Sequence, residues 1–241
     1  MGLEDVIVSI GSRVKSTGRE AYLFYRPSKP GIDMRLPEGQ LRQYLEWHPQ
    51  SRYFIFGLGM YEAWKRIQSP LRTEYNGVIT SLIRFVSPSP TLNTALMRHI
   101  GMHIERPPRE LPQADRKDLE VSVATHCQFD FFFPELISIG YGTMLGVEVA
   151  IATHLNMQDY FIVGEVNIGR SVLLGAKSVI GPGVTIGDRA QINAGSYVTS
   201  DVPPGAIYSG NPARLVGRRK ARWVEMEDGL PRMKQGFHDD R

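Results

Sequence analysis

The sequence predicts a mainly β protein, a parallel β-helix of about five turns behind an α-helical N-terminal region. Two observations carry that prediction. The first is a repeat of six: Ile168, Leu174, Ile180, Ile186, Ile192 and Val198 are all aliphatic, and glycine follows the first four. A period of six matches neither the 3.6 of a helix nor the 2 of a plain strand. It suits a solenoid in which each short strand lies over its counterpart one turn below and the repeated aliphatic side chain points inward. Glycine beside the inward residue suits a corner, where the chain turns with a positive φ.

The second observation is the same spacing upstream. Ile151, Leu145, Ile139, Phe133, Cys127 and Val121 stand six apart, with Gly140 and Gly146 in the glycine slot. The two series do not join in phase, because Ile151 and Ile162 are eleven residues apart. Residues 153–161 between them are polar and unrepetitive. The chain is expected to leave the coil there and return, and a break in a regular scaffold is a place to look for function.

Taken in order, residues 1–37 read as irregular with room for a small hairpin, since Val6, Val8 and Ile10 alternate and residues 21–25 are β-prone. The proline- and glycine-rich stretch 27–37 reads as a linker. Residues 38–104 read as helical. Leu41, Tyr44, Leu45 and His48 fall at i, i+3, i+4 and i+7. A second helix is expected over 52–68, closed by Ser69-Pro70, a third over about 71–86, and a short fourth carrying Leu92, Ala95, Leu96 and Ile100. Their aromatic faces could serve a membrane surface or a dimer; packing on one another to shield one end of the solenoid is the plainer reading. Residues 105–118, with Pro107, Pro108 and Pro112, read as a linker or an irregular first coil, 119–204 as the β-helix, and 205–241 as a C-terminal extension. That extension holds a basic run, Arg214 to Arg222, and a short helix.

Composition narrows the function. A net charge of +3 is too mild to argue for nucleic acid, and one cysteine excludes an intrachain disulfide framework. Cys127, on the inward register, reads as an inert core thiol. No apolar run approaches the ~20 residues of a membrane span and the N-terminus lacks the form of a signal peptide, so a cytoplasmic protein is expected.

Three features resemble the hexapeptide-repeat acyltransferases, the group that contains maltose and galactoside O-acetyltransferases and the xenobiotic acetyltransferases. They are Ala152-Thr153-His154 leading out of a coil, the repeat from Val166 through Val202-Pro203-Pro204, and the terminal Gly210-Asn211-Pro212-Ala213-Arg214. The resemblance covers about 120–217. It implies a left-handed parallel β-helix, a homotrimer with sites between neighbouring subunits, and acetyl-CoA as co-substrate without a metal. His154 takes the place of the family's catalytic histidine. Glu148 and Asn156 are implied on the acceptor side, and Gly175, Ala194, Gly195, Ser196, Thr199, Ser200, Asn211 and Arg214 on the CoA side. This chain departs from the pattern at Glu148, where the family often has asparagine, at Leu173 for a common tryptophan, and at Ser200 for a lysine. The excursion after His154 is also shorter than the loop of the sugar and drug acetyltransferases. With Ser200 in place, the basic run beginning at Arg214 is expected to take more of the phosphate recognition.

The chemistry is sound independently. An alcohol is a poor nucleophile toward a thioester near neutral pH, and an imidazole of ordinary pKa ~6.5 can remove its proton and return it to the leaving thiolate. Backbone N–H groups at a coil corner would serve the oxyanion. The expected activity is CoA-dependent acyl transfer, acetyl in the first instance, to a hydroxyl or amine of a small sugar-like or polar acceptor, without an acyl-enzyme. His126, in a matching Ala-Thr-His triplet at another hexad phase, reads as structural. A non-catalytic scaffold is the alternative. A γ-type carbonic anhydrase would need three metal-binding histidines where the β-helix has His126 and His154. A nucleotidyltransferase would need a glycine-rich phosphate loop.

Overall fold

The computed structural model describes residues 11–16, 19–25, 53–56, 69–85, 89–156, 160–219, 223–225 and 231–233. Strands β1 (Gly11–Ser16) and β2 (Arg19–Tyr25) form an antiparallel hairpin, and β3 (Tyr53–Phe56) runs parallel to β2. The expected strand around Val6–Ile10, the linker 27–37 and the first helix at Leu41–His48 lie outside the described residues. Tyr53–Phe56 corrects the helix expected over 52–68, whose remainder from 57 is also outside them. Tyr-Phe-Ile-Phe is a β-prone run, and an available strand edge decided its conformation.

Helix α1 (Pro70–Phe85) and helix α2 (Pro90–His99) follow, α2 capped by the Ser89 hydroxyl, which accepts from the Leu92 N–H. The buried side of α1 mixes Ile79 and Ile83 with Thr73, Asn76 and Thr80. The polar members meet partners: Thr80 Oγ1 donates to the Asn76 carbonyl, and Asn76 Nδ2 to the Phe131 carbonyl at 3.1 Å.

The β-helix begins earlier than expected, within the presumed helical region. Strand β4 (His103–Ile104) starts the first sheet. Residues 105–121 then leave the coil, with a short helix α3 (Gln113–Asp118), before β5 (Ser122–Val123) and β6 (Gln128–Phe129) complete the first turn. The second turn is β7 (Ile137–Ile139), β8 (Met144–Leu145) and β9 (Ala150–Ile151). The chain then projects as a hairpin, β10 (His154–Asn156) and β11 (Tyr160–Val163). It returns as β12 (Val166–Ile168), β13 (Leu173–Leu174) and β14 (Val179–Ile180), and continues through β15 (Thr185–Ile186), β16 (Gln191–Ile192) and β17 (Tyr197–Val198). Strand β18 (Ala206–Gly210) adds to the second sheet beyond the expected end at 204, and β19 (Ala213–Arg218) folds back on it. The short helix expected after the basic run is not found among the described residues, where Trp223–Glu225 and Pro231–Met233 instead pair as antiparallel strands.

Three parallel sheets result, β4-β7-β12-β15, β5-β8-β13-β16-β18 and β6-β9-β14-β17. This is the parallel β-helix that the repeat predicts, consistent with the left-handed form that the family resemblance implies. Ile139, Ile168 and Ile186 stack in register, as do Leu145, Leu174 and Ile192, and Ile151, Ile180 and Val198. All are buried. Each such side chain taken out of water contributes about 1.5–3 kcal/mol. The residue two before each is also buried, Val149, Val172 and Val184 among them.

The hexad count errs in the first turn. Phe129 pairs with Ile151, and Val123 with Leu145, so Val121 and Cys127 fill the slot two residues early, and Phe133 lies in no strand. The cause is a widened corner, in which ten residues rather than six separate Phe129 from Ile139 and a 3-10 turn, Pro134–Leu136, takes up the slack. Ile162 is likewise in the projecting hairpin and not in the coil. Cys127 remains a core thiol. Burial pushes its pKa up and Sγ donates to the Gly146 carbonyl at 3.2 Å.

The glycine slot has a different reason from the one expected. A Cβ on Gly175 would lie 2.4 Å from the Ala194 backbone nitrogen, and one on Gly187 would lie 2.5 Å from that of Pro204. The next coil leaves no room. Positive φ falls two residues further on, at Glu148, Lys177 and Arg189 as well as at Gly183 and Gly195.

Candidate active site

His154 is placed by three constraints. The Ala152 N–H donates to the Ile180 carbonyl, which keeps the coil register up to the corner. Thr153 is fully buried, with Oγ1 donating to the Phe133 carbonyl at 3.3 Å and its carbonyl accepting from Gly164 N–H at 2.8 Å. His154 then opens β10, opposite Val163 of β11. It therefore begins a strand of the projecting hairpin, where a loop edge was expected. β11 also pairs with β3, so the N-terminal strands form one sheet with this hairpin in the order β1-β2-β3-β11-β10.

The residue that the sequence reading missed is Asp130. It follows Phe129 in the slot that glycine occupies elsewhere, one coil below Ala152. A carboxylate in that slot was the signal available, hidden by the two-residue error in register. Asp130 Oδ2 accepts from His154 Nδ1 at 2.5 Å, from the Thr153 N–H at 2.9 Å and from the His154 N–H at 3.1 Å. Oδ1 accepts from the N–H groups of Phe132 at 2.9 Å and Phe133 at 3.4 Å. The Asp130 side chain is 1% exposed and that of His154 25%. Burial opposes ionisation of Asp130, yet the hydrogen bonds from His154 and Thr153 outweigh it and hold the carboxyl below its ordinary value. An ionised Asp130 can only accept, so Nδ1 carries the proton and Nε2 presents a lone pair. Such an imidazole can take a proton at Nε2, with the carboxylate stabilising the cation that forms.

Three phenylalanines surround this pair. Phe132 meets the His154 ring edge-on with centroids 4.9 Å apart, Phe133 does so at 6.2 Å, and Phe131 packs on Phe132 at 4.4 Å. A shallow depression over the first sheet, lined by His103, Ser138, Asn167 and Thr185 and rimmed by the Glu105–Arg170 ion pair, does not include His154. Concavity there is not accompanied by assembled acid–base chemistry, so the Asp130–His154 pair is taken as the site.

The other residues named from the sequence sort onto two edges of the prism. Thr199 and Ser200 follow β17 at the edge between the third and first sheets, the edge that His154 occupies two coils earlier. Glu148, Gly175, Ala194, Gly195 and Ser196 lie at the edge between the second and third sheets. Asn211, in the turn between β18 and β19 and preceding a cis proline, joins them, because the Gly210 N–H donates to Ser196 Oγ at 3.2 Å. Glu148 is six residues from His154 across a strand, on the order of 15–20 Å, and its carboxylate lies 3.9 Å from Lys177 Nζ. Asn156 is exposed at the far end of β10. Arg214 is exposed at the Asn211 end of β19, with Nη1 on the Ala213 carbonyl, whereas Arg219 reaches the Ser171 and Arg189 carbonyls at the opposite edge of that sheet. The basic run is thus divided. His126 sits at a first-turn corner with φ 63°, its N–H on the Arg84 carbonyl and its ring against Phe85.

Among the described residues there is no group of three or more His, Cys, Asp or Glu side chains arranged to hold a metal, and no helix long and apolar enough to cross a membrane.

Comparisons with known proteins concern the repeat. Residues 165–200 match the family described as hexapeptide repeat of succinyl-transferase. YvoF of Bacillus subtilis strain 168, which carries an acetyltransferase name, is 39% identical over 111 residues, 46% of this chain and 62% of that protein. The galactoside O-acetyltransferase of Escherichia coli K12 is 49% identical over 51 residues, 21% of this chain and 25% of that one. The hexapeptide-repeat acetyltransferase VCA0836 of Vibrio cholerae, solved with acetyl coenzyme A, aligns with a TM-score of 0.45 and 22% identity over 62% of this chain and 88% of its own. The chain spans about three fifths of the length of the first curated relatives it matches. Its repeat is a hexapeptide repeat, and through its β-helix the chain is similar to the hexapeptide-repeat acyltransferases.

Proposed function

We propose that this protein is a CoA-dependent acyltransferase that moves an acetyl group to a hydroxyl or amine of a small polar acceptor, with His154 as general base. The observation that carries the reading is the Asp130–His154 pair, a buried carboxylate fixing the tautomer of a partly exposed imidazole where the chain leaves the coil after Ile151. Acetyl-CoA would supply the acyl carbonyl and a thiolate leaving group. Nε2 of His154 takes the acceptor proton as the acceptor atom bonds to that carbonyl carbon, and the imidazolium gives the proton to sulfur as the C–S bond breaks. Asp130 keeps the ring oriented throughout. The buried Cys127 takes no part, so no acyl-enzyme forms.

The edge bearing Gly175, Ala194, Gly195, Ser196, Asn211 and Arg214 fits the co-substrate. A Cβ on Gly195 would meet nothing within 4 Å, and Arg214 is exposed on β19, paired with Ser209. Thr199 and Ser200 would close the other side. One chain cannot bring both edges together, because the width of the third sheet separates them. A second copy can. The outward residues of that sheet in turns two to four, Ala150, Val179 and Tyr197, are mainly apolar, which favours burial of this face in a homotrimer. Glu148 and Asn156 would then face the acceptor side of sites completed between neighbours. Use of an acyl-CoA donor supports a cytoplasmic setting for such an enzyme.

The test is calorimetric titration with acetyl-CoA together with thiol release across a panel of acceptors, and light scattering on the same sample. Binding, turnover and a mass about three times 27.1 kDa are expected. Absence of CoA binding would favour the scaffold alternative.

A further inference from the structure

Helix α1 is apolar on two sides, and the β-helix uses one of them. Thr73, Asn76, Ile79, Thr80 and Ile83 are buried, Ile79 and Ile83 in the core cluster that also holds Val121, Cys127 and Phe129 of the first turn. About half a turn away around the helix lie Leu71, Tyr75, Val78, Leu82 and Phe85. Leu71 is 85% exposed, Val78 60%, and none of the five less than 39%. Their spacing of four, three, four and three residues is the a/d repeat of a coiled-coil seam. The seam is also steadied from its sides. The Tyr75 hydroxyl shares a hydrogen bond with His99 Nε2 of α2 at 2.5 Å, and Phe85 meets the His126 ring edge-on with centroids 5.9 Å apart. Apolar residues scattered singly over a surface need no explanation, but a continuous line of them does.

We propose that this face of α1 is a self-association surface, occupied by the α1 seam of a second copy packed knobs-into-holes. Such packing needs a partner helix with the same spacing. Among the described residues α2 and α3 span ten and six residues and carry no second seam of this length, whereas another copy of α1 carries this one. The exposed fractions amount to about three whole side chains, on the order of 500 Å² per helix and about 1,000 Å² for a pair, the lower limit of a specific interface. At that area the pairing is reversible and fills at high protein concentration. The borders of the seam do not suit a lipid surface, which favours lysine and arginine there. Glu74 and Ser81 are exposed on one border, and Arg72 on the other reaches the Ile100 carbonyl at 3.5 Å. Because α1 is already folded on the β-helix through its other side, pairing carries no cost of helix formation. A pair of identical seams has two-fold symmetry, which a three-fold assembly lacks, so it joins separate trimers of the kind proposed above. The pairing itself does not rest on the acyl-transfer reading.

Sedimentation equilibrium of the full chain at about 2 and about 200 µM tests this, with thermal melts at the lower concentration. At the higher concentration wild type should have about twice the mass of Val78→Glu, at the midpoint of the seam, and of Leu71→Glu, at its most exposed position. At the lower concentration the three masses should converge and the melts should coincide. Val78→Cys, oxidised at the higher concentration, should cross-link into pairs, because the midpoint meets its own counterpart in either helix orientation; wild type, whose Cys127 is buried, should not. Equal masses for wild type and both glutamate variants at the higher concentration would overturn the proposal. Equal masses with melts lowered by the glutamates would put the stripe against its own chain. Equal masses with flotation of wild type alone on phosphatidylglycerol vesicles would put it on lipid. Either result refutes the pairing.

Discussion

Replacing Asp130 with asparagine tests the centre of the site with the smallest change in shape. The carboxylate receives five donors, three at Oδ2 and two at Oδ1. An amide offers one accepting oxygen and one NH2. If the oxygen takes the Oδ2 position, the NH2 faces the Phe132 and Phe133 N–H groups. In the flipped orientation it faces Thr153, His154 and the imidazole. Either way at least one buried N–H is left unpaired, which costs about 1–3 kcal/mol, and hydrogen bonds to a charged acceptor worth about 1.5–3 kcal/mol become neutral ones. We expect a net loss of roughly 2–4 kcal/mol at pH 7. The loss should depend on pH in a defined direction. The folded carboxyl of the wild type sits below its ordinary value, so its stabilisation is complete above the unfolded pKa near ~3.9 and disappears as pH falls through the folded one. The gap between wild type and variant should therefore be full at pH 7 and close below pH ~4. Activity should fall by about 10²–10⁴ in kcat, because Nδ1 no longer has an obligate acceptor and the productive tautomer is lost. Thermal or urea unfolding at several pH values, with thiol-release kinetics, would measure both. An asparagine variant as stable and active as wild type at pH 7 would refute the role given to Asp130.

The remaining predictions concern the frame and the co-substrate edge. Gly175→Ala should destabilise by about 2–3 kcal/mol in urea melts, because its Cβ meets the Ala194 backbone at 2.4 Å. Gly195→Ala, at φ 69° but in open space, should lose only about 1 kcal/mol; equal losses would mean that coil spacing is not what demands glycine. Arg214→Ala should weaken CoA binding about tenfold in calorimetry and dephospho-CoA binding much less. Loss of the Glu105–Arg170 ion pair should change stability by ~1 kcal/mol or less, since both side chains are substantially exposed, and added salt should shrink even that difference.

How much of this was legible in the sequence varies along the chain for physical reasons. From Ile139 onward each turn contributes one aliphatic residue to each of the three interior stacks, so the period of six could be counted directly on either side of the projecting hairpin. The first turn misled because two slots per hexad are buried. Val121 and Cys127 satisfy an aliphatic count as well as Val123 and Phe129 do, and the four-residue insertion after Phe129 realigned the wrong slot with Ile139. His154 was legible as a motif. Asp130 was not, because it lies 24 residues away and becomes a neighbour only through stacking of coils. Strand β3 was missed for a related reason: its partner β11 is about a hundred residues distant, and non-local pairing can override a local helical spacing. The division of the basic run also depended on topology, since β19 runs antiparallel to β18 and carries its two ends to opposite edges.

The most direct test of the central claim compares His154→Ala with His126→Ala, the two histidines of identical Ala-Thr-His triplets. The account predicts that His154→Ala lowers kcat for acetyl transfer by about 10²–10⁴ while CoA affinity holds, because the proton acceptor is gone and the co-substrate edge is untouched. His126→Ala should keep most activity, losing stability at its positive φ and its contact with Phe85. An active His154→Ala enzyme beside an inactive His126→Ala one would contradict it.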